Sequence, residues 1–301
     1  MLEAFDVALN VIAPIMLVIG ISALISRRFN LNAETLSTLI LYLFIPALVI
    51  DGLSQLEVSG EEILSLAMMV MIFSTIMVAI GWSVSRTIGI NRHTESAFII
   101  SVMLTNTANY GIPFNVFAFG EEARQFAILF YVGSTVVTNT FGIYFASRGS
   151  ASIRESAINI FKIPLSYATF FGLFLNGTNS TLPLPIERMI ELLADAAIPG
   201  MLVLLGIQLS RLKIDKNYGP VLAASTTRLL IGPLVAFPIT LLLGMEGLIQ
   251  KVSIVQAAMP TAVITAVLAA QFNSDVGFTT TVILVTTLAS ILTLSILITI
   301  L

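Results

Sequence analysis

The chain has no cysteine, one histidine and one tryptophan, and only 10% of its 301 residues are charged. The lack of cysteine excludes disulfides, thiolate metal sites and cysteine nucleophiles, while saying little about compartment in a membrane protein. A lone histidine, His93, cannot build a histidine-rich metal centre, so no metal site is expected. No GxxxxGK[ST] phosphate loop is present, and energy from ATP would have to come from another chain. Charge is far scarcer than the roughly 25% of an average soluble domain. Apolar residues are abundant instead: they make up 57% of the chain, and the mean hydropathy is +0.99. Windows of about 20 residues, enough to cross a ~30 Å hydrocarbon core, carry almost no charge. Glu3 and Asp6 stand where a signal peptide has a basic start, so the first apolar run is expected to be retained as a helix.

Apolar windows between charged or turn-forming clusters predict ten spans, near residues 5–26, 35–54, 63–88, 94–119, 123–147, 156–176, 188–209, 218–243, 248–272 and 276–301. The fold class is therefore an all-α integral membrane protein, with the bilayer as a partner and no nucleic acid. Arg27 and Arg28, Arg86 and Arg92, Arg148 and Arg154, and Arg211, Lys213 and Lys216 occupy alternate loops. The intervening loops carry Glu57, Glu61 and Glu62, then Glu121, Glu122 and Arg124, then Glu187 and Arg188, then Glu246 and Lys251. The basic loops mark the cytoplasmic side. A multi-pass protein of the cell membrane with both termini outside the cytoplasm is the expectation.

An internal repeat adds topology. Ile45-Pro46-Ala47-Leu48 resembles Ile198-Pro199-Gly200-Met201 at an offset of 153, and Gly52 and Gly206 follow. Asn106-Thr107-Ala108 and Pro260-Thr261-Ala262 lie 154 apart, as do Glu121 and Asp275. An odd number of helices per copy makes the second enter from the opposite side, giving two inverted five-helix repeats, residues 1–147 and 156–301. Ten unrelated helices are the competing reading.

The fourth span is interrupted by the polar run Thr105 to Pro113, and the ninth by Gln256 to Thr265 around Pro260. Proline removes a backbone donor and disfavours helix in the residue before it. Broken backbone at membrane depth persists where protein or a wet cavity satisfies it, and half-helix N-termini then favour a bound anion. One proline alone would signal only a packing kink; two interruptions at repeat-related positions point to a site. Its candidate substrate-binding residues are Asn106, Thr107, Asn109, Pro113, Gln256, Pro260, Thr261 and Arg228.

Arg228 lies ten residues past Tyr218, near mid-membrane, where an unpaired charge costs at least ~2.5 kcal/mol. Asp195 in the seventh span is the candidate partner, either as a gate or coupling pair or as a structural ion pair; Arg228 could instead bind a carboxylate. Asn139, Thr135, Thr138 and Gln208 are expected to hold helices together. Asp51 and Asp275, near span ends, are expected to be solvated, with a role in proton or sodium binding as the alternative, and His93, in a basic loop, is expected to be solvated.

The run Asn106 to Pro113, continued by Phe117-Ala118-Phe119-Gly120-Glu121-Glu122, resembles the fourth-helix motif of the auxin efflux carrier family. Ala197-Ile198-Pro199-Gly200 through Leu205-Gly206-Ile207-Gln208-Leu209, and then Met259-Pro260-Thr261-Ala262, Asp275 and the stretch from Thr286 to Leu294, are similar to that family's later helices. Ala108 and Ile264 depart from it, standing where many relatives have Gly and Asn. The resemblance implies crossed broken helices in spans four and nine, a scaffold domain of residues 5–54 and 156–210, a mobile transport domain of residues 62–147 and 218–301, and a homodimer formed through the scaffold. The expected function is secondary transport of a small organic anion, a carboxylate, by alternating access, without a catalytic residue or bound cofactor and with H+ or Na+ as the possible coupling ion. The alternatives are a sodium-coupled symporter of bile-acid-like or other amphipathic anions and, in another class, a channel. An enzyme is not expected, because no acid–base or nucleophile cluster is evident beyond Asp195 with Arg228.

Overall fold

A computed structural model describes residues 8–56, 58–147, 163–212 and 218–301, and among these every regular element is a helix. In chain order they are α1 (Leu9–Phe29), α2 (Ala33–Ser54), α3 (Gly60–Thr87), the short pair α4 (Arg92–Met103) and α5 (Ile112–Phe119), α6 (Glu122–Ala146), α7 (Pro164–Thr178), α8 (Leu184–Leu209), α9 (Tyr218–Leu242), the second short pair α10 (Leu248–Ala258) and α11 (Ile264–Gln271), and α12 (Val276–Ile300). Seven of them, α1, α2, α3, α6, α8, α9 and α12, are long and apolar enough to cross a membrane. The start of the expected sixth span at residue 156, and the basic residues Arg148, Arg154, Lys213 and Lys216, lie outside the described residues.

Local chemistry sets the helix ends. Ser59 accepts from the Glu62 amide while the Glu62 carboxylate accepts from the Ser59 amide at 2.8 Å, a reciprocal cap that starts α3. Asn32, Asn91 and Asp275 cap α2, α4 and α12 by accepting from backbone amides two or three residues on. α1 ends with Arg27 and Arg28 in its last turn and Asn30 in the left-handed conformation, which stops the helix and sets cations against its negative end. Asp275 is therefore not simply solvated: it also accepts from the Thr94 hydroxyl at 2.8 Å and ties α12 to the start of α4.

The helices pack in two sets. α8 lies against α1 and α2, and α7 lies against α2. The Leu-Gly-x-x-Leu pattern has a packing role here, since a side chain at Gly206 would collide with the Ile19 carbonyl of α1. In the other set α3 packs on α4, α6 and α9, α9 on α10, and α12 on α4. Large apolar side chains such as Leu17, Phe170, Leu241 and Leu292 stay exposed around the outside, as a hydrocarbon solvent allows.

Both short pairs are interrupted where the sequence places polar residues, although proline does not make the first break. α4 stops at Met103, Leu104 turns extended (φ −85°, ψ 116°), and a π-helical turn over Thr107–Gly111 leads into α5. Pro113 is the second residue of α5, beyond the break, after a π-helical turn in which Gly111 and Ile112 already donate to the Asn106, Thr107 and Ala108 carbonyls. α10 stops at Ala258, Met259 is extended, and Pro260 lies in the gap before α11. The two gaps cross as a single antiparallel bridge, Thr105 opposite Thr261. The Asn106 amide donates to the Pro260 carbonyl at 2.8 Å, and the Ala262 amide to the Leu104 carbonyl at 2.9 Å. Each gap thus satisfies backbone groups of the other, the requirement for non-helical chain at this depth.

Candidate functional site

A cavity of about 550 Å³ lies beside the crossing, a volume that suits a small-molecule ligand. The first break contributes Thr105, Asn106, Thr107, Ala108 and Asn109 to its wall, and the start of α11 contributes Ala262, Val263 and Ile264. α6 adds Tyr131, Ser134, Thr135, Thr138 and Asn139, and α2 and α8 close it with Ser37, Ile40, Ile45, Leu204 and Gln208. Among the described residues, not one that lines it is charged. The cavity lies where the two helix sets meet.

Its electrostatics come from backbone and amide groups. The opening turns of α11 and of the π-helical segment ahead of α5 border the space, and the first amides of a helix have no carbonyl one turn earlier to bond. The Leu104 and Thr105 carbonyls, which Ala108 would otherwise use, are taken by Ala262 and Thr107. Asn106 is buried at 4% exposure, and its Nδ2 has no hydrogen-bond partner. The Gln208 Oε1 is likewise buried and without a partner. On α6, Thr135, Thr138 and Asn139 donate to carbonyls one turn back, at 2.8 to 3.0 Å.

Of the residues singled out from the sequence, Asn106, Thr107 and Asn109 line this cavity, whereas Pro113, Gln256, Pro260, Thr261 and Arg228 do not. Gln256 is fully buried and reaches the Thr107 and Ala127 carbonyls at 3.4 and 3.3 Å, bracing the π-helical turn from behind. Thr261 donates to the Ser101 carbonyl at 2.8 Å and its amide to Thr286 Oγ1, so it faces protein. The α6 residues and Gln208, expected as helix glue, are wall residues instead. Their polarity was visible in the sequence, but the face they present depends on packing against α2 and α11.

The expected ion pair between Arg228 and Asp195 does not form. Arg228, fully buried on a π-helical turn of α9, donates to the carbonyls of Val102 (2.6 Å), Met103 (3.5 Å) and Ala257, with the Phe73 ring 5.3 Å away. Backbone carbonyls do the work assigned to a carboxylate. Asp195 lies exposed on α8, within electrostatic reach of Asp51. Asp51 pairs with Arg124 at 3.3 Å, and Arg124 also holds Glu121 at 2.5 Å. That network joins α2 to α6 at the helix ends away from the stretches that line the cavity.

A bundle of membrane-length helices with a largely apolar cavity, edged by polar groups beside crossed backbone gaps, is an arrangement that suits a membrane transporter. The sequence comparisons agree: the family described as "Membrane transport protein" matches residues 8–298, and the chain belongs to it, the auxin efflux carrier family of the resemblance. An uncharacterized transporter of Methanothermobacter thermautotrophicus is 27% identical over 266 residues, covering 87% of each chain. Another uncharacterized transporter, from Methanocaldococcus jannaschii, is 26% identical over 298 residues, covering 93% of this chain and 95% of the relative. Membership speaks for a multi-pass membrane transporter and against an enzyme.

Proposed function

We propose that the protein is a secondary carrier for a small organic anion, a carboxylate, bound in the cavity beside the crossing. The cavity itself carries the reading: among the described residues no lining carboxylate repels an anion, two helix N-terminal turns supply partial positive charge, and the unpartnered Asn106 side-chain amide supplies a donor. Apolar wall residues such as Ile40, Ile45 and Leu268 leave room for the organic part of the cargo.

Alternating access follows from where the cavity lies. It would be shared between a scaffold of residues 5–54 and 156–210 and a transport domain of residues 62–147 and 218–301, and the closer packing within each set supports that division. The inverted repeat is supported by matching elements, since α6 and α12 start at Glu122 and Val276, 154 residues apart, each straight after a broken pair. The lining residues Ser37, Ile143, Pro164 and Gln208 lie near the helix ends that join the basic loops. With those loops in the cytoplasm, the conformation is inward-facing.

The test is thermal unfolding of the purified chain with mono- and dicarboxylates beside their neutral amides and matched amines. Carboxylates should raise the melting temperature and the amides should not. Stabilisation by amines, or by none of the carboxylates, would sink the proposal.

A further inference from the structure

The crossing has two electrostatic faces. Toward the cavity it turns helix N-termini, while α4 and α10 run into it with their C-termini, where carbonyls lacking a partner one turn later concentrate negative charge. In carriers with broken helices, such C-termini and unwound carbonyls are where a sodium ion or proton is held. Here a side chain fills that place. The Arg228 guanidinium donates to Val102 and Met103 at the end of α4 and to Ala257 at the end of α10, bridging both negative ends.

The surroundings fit a resident cation. The next turn of α9 is Gly232, and a side chain there would strike the guanidinium and come within 3.0 Å of the Ala257 carbonyl. Phe73 presents its ring to the charge at 5.3 Å. Among the described residues no carboxylate pairs with Arg228; its terminal guanidinium nitrogens donate to backbone carbonyls, and its Nε is buried without a partner. Its absence from the cavity wall separates it from the cargo.

We propose that Arg228 is the built-in counter-cation of the crossing, standing where a coupling sodium ion would bind, so that the chain forms its anion site with no metal ion at that position. The inference deepens the carrier reading by naming what holds the crossing together, and it rests on the crossing rather than on the cargo.

The experiment is a melting series on the full purified chain with no organic anion present, in sodium, potassium or choline chloride at one chloride concentration. The native protein and Arg228→Lys, which keeps the charge, should melt at the same temperature in all three salts. Arg228→Ala should melt several degrees lower and recover part of that loss in sodium chloride or in millimolar guanidinium, which a purely packing role would not produce. A higher melting temperature for native protein or Arg228→Lys in sodium than in choline would overturn the proposal. So would an Arg228→Ala variant as stable as native, or one whose loss no cation repairs. Should Arg228→Ala not survive extraction, Arg228→Lys decides: folded and indifferent to sodium it supports the counter-cation, and lost along with Arg228→Ala it refutes it.

Discussion

Asn106 and Thr261 come from repeat-related breaks and looked equivalent in the sequence, yet they have opposite surroundings. Asn106 lines the cavity and has a buried Nδ2 without a partner, whereas Thr261 is fully buried away from it and spends its hydroxyl on Ser101. Asn106→Ala should therefore weaken carboxylate binding by roughly 0.5 to 3 kcal/mol, the range for a hydrogen bond to a charged ligand, with little change in melting temperature. Thr261→Ala should do the reverse, lowering stability by about 1 kcal/mol and leaving the cavity wall unchanged. Isothermal titration alongside thermal unfolding separates the two outcomes. Gln208→Leu belongs with Asn106, because it removes an unpaired Oε1 from the wall; a loss of stability without loss of binding would return Gln208 to the role of helix glue. Residue type flagged these positions in the sequence. Which way each side chain faces was not legible there, since period and spacing place a residue on a helix face but not that face against a partner.

Helix ends were the most legible elements. Charged and turn-forming clusters between the apolar windows put most ends within a few residues of the structure, where caps such as Ser59 with Glu62 and Asp275 supply the partners that first turns need. The breaks were legible in position but not in cause: Pro113 fits the first turn of α5, and the gap opens nine residues earlier at Leu104, where crossing chain supplies the missing hydrogen bonds. Arg228 was legible as a buried charge, but its partners are carbonyls, which have no residue signature. A different pair joins the two sets of helices, Asp51 on α2 and Arg124 on α6, with side chains 14% and 20% exposed. Arg124→Gln should lower the melting temperature, and adding Asp51→Asn to it should cost less than Asp51→Asn alone, since the stranded carboxylate is then neutralised. Strict additivity in that cycle would mean that the contact carries no energy between α2 and α6.

For the whole molecule the claims are orientation and the place of binding. The native chain has no cysteine, so single cysteines report without background. In sealed cells, a cysteine replacing Glu61 should react with an impermeant thiol reagent from outside, and one replacing Arg211 should not; the reverse pattern would invert the orientation while leaving the fold intact. The central claim, that an organic anion sits at the crossing, is tested most directly by a cysteine replacing Asn109 on the cavity wall, labelled in purified protein with and without ligand. A stabilising carboxylate should slow labelling at this position, its neutral amide should not, and a cysteine replacing Glu61 should be labelled at the same rate throughout. Unchanged labelling of the Asn109 cysteine at a carboxylate concentration that raises the melting temperature would place the anion elsewhere and contradict the account.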